Sequence, residues 1–105
     1  MKISGEIKGG ALLLSLSGEL DHHGAKEVMS SVAEIINEHV PRSCVMDFKD
    51  VGFMDSSGIG FIMGRFSLAK KLGGELVMVD PSPRVSKILS LAGMERIIKT
   101  ERKKK

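Results

Sequence analysis

SCVMDFKDVGFMDSSGIGFIMGRF, residues 43 to 66, is the stretch from which the fold of this chain can be predicted. The run from Ser43 to Phe48 is short and mostly apolar, which is typical of a buried inner strand. The segment from Lys49 to Gly52 is polar and contains glycine, so we expect the chain to leave the sheet there. From Ile59 onward apolar residues recur at helical spacing. The stretch therefore predicts a strand, a loop and a helix.

Two serines, Ser56 and Ser57, stand just before the apolar positions of this helix, and Asp55 precedes them. Serine often caps the unpaired N–H groups of a first turn, so the plainest interpretation is that Ser56 or Ser57 is an ordinary N-cap. The same place, beyond the carboxyl end of a strand and at the positive end of a helix, is also where α/β proteins often bind anions and ligands. Local chemistry thus permits a phosphoserine here without requiring one.

The helix itself is rich in glycine, with Gly58, Gly60 and Gly64 in its first half. Glycine costs about 1 kcal/mol relative to alanine in a helix interior. Because Phe61 lies off the main apolar stripe, the first two turns are apolar on nearly all sides, and one sheet cannot cover them all. Two interpretations stay open: a neighbouring helix covers the remainder, or an apolar patch beside Ser57 is exposed for a partner.

The N-terminal part of the chain predicts a hairpin followed by a helix. Gly9-Gly10 separates two strand-like segments, Lys2 to Lys8 and Ala11 to Ser17, which favours an antiparallel pair. Asp21 is a plausible N-cap for the amphipathic helix that follows.

The C-terminal part predicts two more strands and one more helix. We expect a buried strand from Glu75 to Asp80, a helix that begins at Pro83 and a short edge strand between Arg96 and Thr100. The element order β-β-α-β-α-β-α-β predicts one α/β domain over residues 1–100, with a mixed sheet of four to five strands and three or more helices.

Composition and charge exclude several classes of function. The net charge is +3, but residues 96–105 contain six Lys or Arg and one Glu, so the basic character belongs to the end of the chain. Residues 101–105 are predicted to be a frayed basic tail. We expect no nucleic-acid surface and no membrane segment. Cys44 is the single cysteine, which rules out an internal disulfide and makes a cytoplasmic protein the simplest inference.

Metal binding and catalysis are weakly supported. His22, His23 and His39 do not have the spacing of a ligand set, and no metal or cofactor is expected. A hydrolase could use Ser57 with one of the paired histidines and Asp21, but the G-x-S-x-G elbow is absent.

The stronger alternative is a small nucleotide-binding domain. It would use the helix start at Gly58, Gly60 and Gly64, with Asp80 as the ribose-binding acid after the next strand. The glycine spacing is one residue longer than the G-x-G-x-x-G fingerprint, so this signal is weak.

Three segments carry a resemblance to a known family: GELDHH at residues 18–23, FMDSSGIGFIMGR at residues 53–65, and GGELVMVDPSPRV downstream. The chain resembles the STAS-domain anti-sigma factor antagonists of sporulating bacteria, over about residues 2–100. The resemblance implies a switch protein that is not an enzyme. Its unmodified form would bind an anti-sigma factor that is also an ATP-dependent serine kinase, and thereby release the sigma factor. A PPM-type phosphatase would reverse the phosphorylation.

The resemblance also implies which residues act. The second serine of the D-S-S-G motif, Ser57, would be the phosphorylation site. The partner-binding positions implied by the motifs are Asp21, Met54, Asp55, Ser56, Gly58, Ile59, Gly60 and Phe61. We expect a phosphate on Ser57 to introduce a dianion beside Asp55 in an apolar docking patch, where desolvation against a partner is costly.

Overall fold

The computed structural model describes residues 1–102 and has the element order that the sequence predicts. In this part of the chain there are five strands, three α-helices and a short 3-10 turn at Met94–Arg96. The elements are β1 (Lys2–Lys8), β2 (Ala11–Leu20), α1 (His22–His39), β3 (Ser43–Met54), α2 (Ser56–Lys71), β4 (Glu75–Val79), α3 (Pro83–Leu91) and β5 (Lys99–Glu101). The predicted α/β class with a mixed sheet is confirmed.

The five strands form one sheet in the order β1-β2-β3-β4-β5. β1 is antiparallel to β2, and every other neighbouring pair is parallel. The turn between β1 and β2 contains Gly9 and Gly10 with φ of 58° and 84°, a region that glycine enters without steric cost. The hairpin predicted at these two residues is therefore confirmed.

β3 is longer than predicted, and the prediction of a loop from Lys49 to Gly52 is wrong. The strand continues to Met54, and its second half pairs with β2, from Ser17 opposite Asp50 to Leu20 opposite Met54. The register shifts twice along this segment, as at β-bulges, and the shifts accommodate the polar residues and Gly52 while Val51 and Met54 stay buried. Asp55, the residue before α2, therefore follows the last residue of β3 directly, and no loop separates the strand from the helix.

The core lies between one face of the sheet and the three helices. Alternate residues of the two central strands point into it: Leu12, Leu14 and Leu16 of β2, and Cys44, Met46 and Phe48 of β3. α1 packs against both β2 and α2. Phe61 of α2 is only 1% exposed, so a neighbouring helix covers this side chain, as one of the two open interpretations predicted.

The C-terminal strand is displaced from its predicted position. β5 spans Lys99–Glu101, whereas Arg96 belongs to the 3-10 turn. Glu101, which the sequence assigns to the basic tail, pairs with Val79 of β4 instead. The remainder of the predicted tail, residues 103–105, lies outside the described residues. Within residues 1–102, no helix is both long and apolar enough to cross a membrane.

Cys44 gives a direct test of how tightly the central strand is buried. Its side chain is fully buried, and this desolvation raises the pKa of the Cys44 thiol from 9.0 to about 12. The reactive thiolate is therefore suppressed at pH 8, and we expect the native protein to react with a disulfide reagent only through unfolding or local opening. The measurement is the rate of thiol modification with and without urea.

A matched control is Ser31→Cys, which places a second thiol on the exposed face of α1. We expect one fast and one slow thiol per chain in this variant. Equally fast modification of both thiols under native conditions would contradict the buried position of Cys44.

Candidate functional site

Two helix starts lie side by side at the carboxyl ends of β2 and β3. Leu20, the last residue of β2, is paired with Met54, the last residue of β3. An aspartate follows each strand at once, and each is the N-cap of the next helix. The cap predicted at Asp21 is confirmed, since its Oδ1 accepts a hydrogen bond of 2.8 Å from the Gly24 amide. The sequence D-x-x-G thus occurs twice at equivalent places, as DHHG and DSSG.

Asp55, rather than a serine, caps α2. Its Oδ1 accepts hydrogen bonds from the backbone amides of Ser57 at 2.8 Å and Gly58 at 3.4 Å. The interpretation of Ser56 or Ser57 as the N-cap is therefore wrong, because a carboxylate of the preceding residue already holds the free amides. Among the described residues, neither serine hydroxyl makes a hydrogen bond. Ser57 is half-buried and Ser56 is exposed.

Gly58 allows α2 to approach the end of β2. A Cβ at this position would lie 2.5 Å from the Leu20 carbonyl oxygen and 2.5 Å from Cγ of Met54, distances that real Cβ atoms do not adopt. Gly24 occupies the equivalent place in α1, where a Cβ would collide with the Glu19 carbonyl oxygen. Glycine at the third position of each helix therefore brings both first turns close to β2.

An open groove of about 380 Å³ runs between α1 and α2 beside Ser57. Its lining comes from both helices: His22, Ala25, Lys26 and Met29 of α1, and Ser57, Gly60 and Phe61 of α2. Met29 lies on the apolar stripe of α1, yet 43% of its surface is exposed, because α2 covers only part of that stripe.

Arg65 connects the two helices that form the groove. Its Nη1 donates a 3.2 Å hydrogen bond to the Met29 carbonyl oxygen, and its guanidinium carbon lies 5.5 Å from the centroid of the Phe61 ring. Partial burial lowers the pKa of Arg65, and its Nε is buried with no hydrogen-bond partner among the described residues. Sequence patterns do not reveal the roles of Arg65, Lys26 and Met29, because these roles depend on a contact between helices that are far apart in sequence.

The structure divides the predicted partner-binding residues into two groups. Asp21, Asp55, Ser56, Ile59 and Gly60 are exposed or half-buried around Ser57. The other three are buried: Met54, Gly58 and Phe61. They pack beneath the surface that the first group forms, and the part that all eight residues play in partner binding stays a prediction.

The geometry argues against the nucleotide-binding alternative. A phosphate bound at this helix start would need the amides of Ser57 and Gly58, which the Asp55 carboxylate already occupies. Gly58 is also buried, so that it is not available for close approach to a pyrophosphate. The same occupied amides would be required as oxyanion donors in the hydrolase interpretation, although His22 and Ser57 do share the groove. Within residues 1–102 no three His, Cys, Asp or Glu side chains form a metal-binding group.

Comparison with known proteins agrees with this arrangement. A family model described as the STAS domain matches residues 2–105. The chain belongs to the STAS-domain family. This STAS domain is 38% identical over 98 residues to the anti-sigma F factor antagonist of Paenibacillus polymyxa, a match that covers 93% of this chain and 84% of the relative.

Solved structures support the same relationship. The anti-sigma factor antagonist SpoIIAA in its unphosphorylated form superimposes with a TM-score of 0.81 at 26% identity, over 94% of this chain and 87% of that one. The phosphorylated form of the Bacillus cell fate determinant SpoIIAA gives a TM-score of 0.73 at 25% identity, over 94% of this chain and 90% of that one. The family resemblance stated from the sequence motifs is confirmed.

The close packing of Gly58 predicts opposite effects for two alanine substitutions in α2. Gly58→Ala should lower the free energy of unfolding by about 1–3 kcal/mol, because the added methyl group meets the Leu20 carbonyl and Met54. Gly64→Ala is the matched control: its Cβ would have no heavy atom within 4 Å, and we expect a gain of up to about 1 kcal/mol in the helix interior.

The measurement is urea unfolding followed by circular dichroism at 222 nm, since the chain contains no Trp or Tyr. A Gly58→Ala variant as stable as the wild type would show that α2 does not approach Leu20 this closely.

Proposed function

We propose that this STAS domain is an anti-sigma factor antagonist that acts by binding, without catalysis, and that phosphorylation of Ser57 switches the binding off. The partner is an anti-sigma factor with serine kinase activity, which binds the ATP, and a PPM-type phosphatase restores the active form. The observation that carries this proposal is the environment of the Ser57 hydroxyl. Its hydroxyl is free of hydrogen bonds among the described residues and faces a groove, because Asp55 has taken the capping role.

The relatives support the proposal at two levels. The Paenibacillus polymyxa protein is named for antagonism of the anti-sigma F factor. SpoIIAA is described in both an unphosphorylated and a phosphorylated form. A protein of this family that exists in two phosphorylation states needs an accessible acceptor, and Ser57 meets that requirement in this chain.

The surface around Ser57 has the composition of a docking site. Ile59 and Gly60 lie next to it on α2, and the exposed part of Met29 lies across the groove on α1. We call Ser56, Ser57, Ile59, Gly60 and Met29 the docking surface. Two carboxylates, Asp21 and Asp55, border it at the helix starts. Small and apolar groups with a charged rim are the usual anatomy of a protein interface.

Phosphorylation would change the electrostatics of the docking surface. The γ-phosphoryl group passes from ATP to Ser57 Oγ, the hydroxyl loses its proton, and ADP leaves. The product carries a charge of about −1.5 to −2 next to the Asp55 carboxylate. Since Asp55 already accepts from the Ser57 and Gly58 amides, the new phosphate would have to compete with this carboxylate for them. Burying this charge against a partner is unfavourable.

The first test is to locate the phosphorylation site. The purified protein is incubated with Mg-ATP and lysate of its host, and the intact mass is measured. We expect one added phosphate on the wild type and on Ser56→Ala, and none on Ser57→Ala. Ser56→Ala is a matched control because it removes the neighbouring hydroxyl and leaves the Asp55 cap unchanged.

The outcome that would contradict the switch is a phosphate on Ser57→Ala. A complete absence of phosphate on the wild type, in a lysate shown to modify a known anti-sigma factor antagonist, would also contradict it.

Equal affinity of the cognate anti-sigma F factor for wild type, Ser57→Ala and Ser57→Asp would show that charge at position 57 does not control binding. We expect Ser57→Asp to bind at least about tenfold more weakly than Ser57→Ala, which corresponds to about 1.4 kcal/mol.

The docking surface itself is tested with a pair of glycines. A Cβ at Gly60 or at Gly64 would have no heavy atom within 4 Å, so both alanine variants should fold and be slightly stabilised. Only Gly60 lines the groove beside Ser57. We therefore expect Gly60→Ala to weaken binding to the anti-sigma F factor by about tenfold through steric interference, whereas Gly64→Ala binds like the wild type. Calorimetric titration measures both, and equal affinities would exclude the groove from the interface.

A further inference from the structure

We propose that the phosphate on Ser57 is held within its own domain by Lys26 of α1, with His22 as a second cation when protonated, so that the phosphate lies in the groove between α1 and α2. This inference rests on the proposed phosphorylation of Ser57 and specifies how the modified state is arranged. The phosphoserine would thus block the docking surface by occupying it, in addition to repelling a partner.

The spacing of His22 and Lys26 along α1 places both side chains on the face that borders the groove. His22, Lys26 and Met29 are separated by four and three residues, so they share one helix face, and all three line the groove with Ser57. The neighbouring pair points elsewhere: His23 lies 3.8 Å from Glu27, whose carboxylate also binds the Met1 amine at 3.1 Å. Within residues 1–102, Lys26 forms no ion pair. Its ammonium group is therefore available to a new anion in the groove.

The carboxylates of Asp21 and Asp55 already accept hydrogen bonds from three backbone amides at the two helix starts. Asp55 holds the free amides of α2, and Asp21 holds the Gly24 amide of α1. A dianion on Ser57 is repelled by the adjacent Asp55 carboxylate and cannot replace it without leaving that carboxylate unpaired. The charged groups closest to Ser57 are therefore the Asp55 carboxylate at the start of α2 and the Lys26 ammonium along the groove, with His22 as a further cation when it is protonated.

The groove is large enough for a phosphate. Its volume of about 380 Å³ exceeds many times the roughly 30 Å³ that one water occupies. Gly60, which has no side chain, forms part of its lining on α2. A phosphate that extends from Ser57 toward Lys26 would cover Gly60 and Met29, two members of the docking surface.

The experiment measures the ionisation of the phosphate itself. Phosphoserine is incorporated at position 57 during translation, and the second pKa of its phosphate is followed by ³¹P NMR in the full chain. A nearby cation favours the dianion, so we expect Lys26→Met to raise this pKa, with a decrease of about threefold in the acid dissociation constant. Lys26→Arg keeps the cation and should titrate like the wild type.

Lys70→Met is the matched control, since it removes the same charge from the far end of α2. Both lysines are exposed, so neither variant should affect folding. In the same samples, the imidazole resonances of His22 should move on phosphorylation more than those of His39 at the other end of α1. The proposal is overturned if Lys26→Met titrates like the wild type, if Lys70→Met shows the same change as Lys26→Met, or if His22 responds no more than His39.

The titration does not depend on any kinase, because the phosphate is introduced during synthesis. A failure of Ser57 to be phosphorylated in host lysate would therefore contradict the proposed function, whereas an unchanged titration would contradict only the contact with Lys26. The two results are obtained from separate samples and cannot be confused.

Discussion

The hydrogen bonds from the Ser57 and Gly58 amides to the Asp55 carboxylate are the interaction on which the rest of the site depends. By capping α2, Asp55 releases the two serine hydroxyls from a structural role. It also occupies the donors that a nucleotide phosphate or an oxyanion would need. One carboxylate thus competes with an anion for two amides at the start of α2 and leaves the Ser57 hydroxyl without a capping role. The same carboxylate later becomes the nearest negative charge to any phosphate on that serine.

A second constraint is the register of the two central parallel strands. Because β3 continues without a loop until Met54 lies opposite Leu20, α1 and α2 begin at the same edge of the sheet. Gly58 then permits α2 to pack against the Leu20 carbonyl. The groove follows from this arrangement, since two helices that start side by side leave an open space between their first turns. Arg65 holds the helices together beyond it through the Met29 carbonyl.

The site illustrates how a STAS domain can regulate without a deep pocket. Its features are a free hydroxyl, a small apolar surface and a balance of charges in which carboxylates stand at the helix starts and cations line the groove. Each of these is modest by itself, since exposed charges contribute little in isolation. Adding about two negative charges at Ser57 alters the balance at the centre of the surface.

The order of elements, the hairpin at Gly9 and Gly10 and the cap at Asp21 were determined by the sequence alone, because each depends on residues within one or two turns of chain. The resemblance of the DSSG motif to the family's motif singled out Ser57, whose phosphorylation is a proposal. Only the tertiary structure decided that Asp55 rather than a serine caps α2, since Asp, Ser and Ser in succession are all good caps and the choice is made where β3 ends. The burial of Phe61 and the groove beside it depend on α1, whose lining residues Lys26 and Met29 lie more than thirty residues before Phe61 in the sequence. Local patterns cannot specify such contacts, because they arise from how the two helices pack.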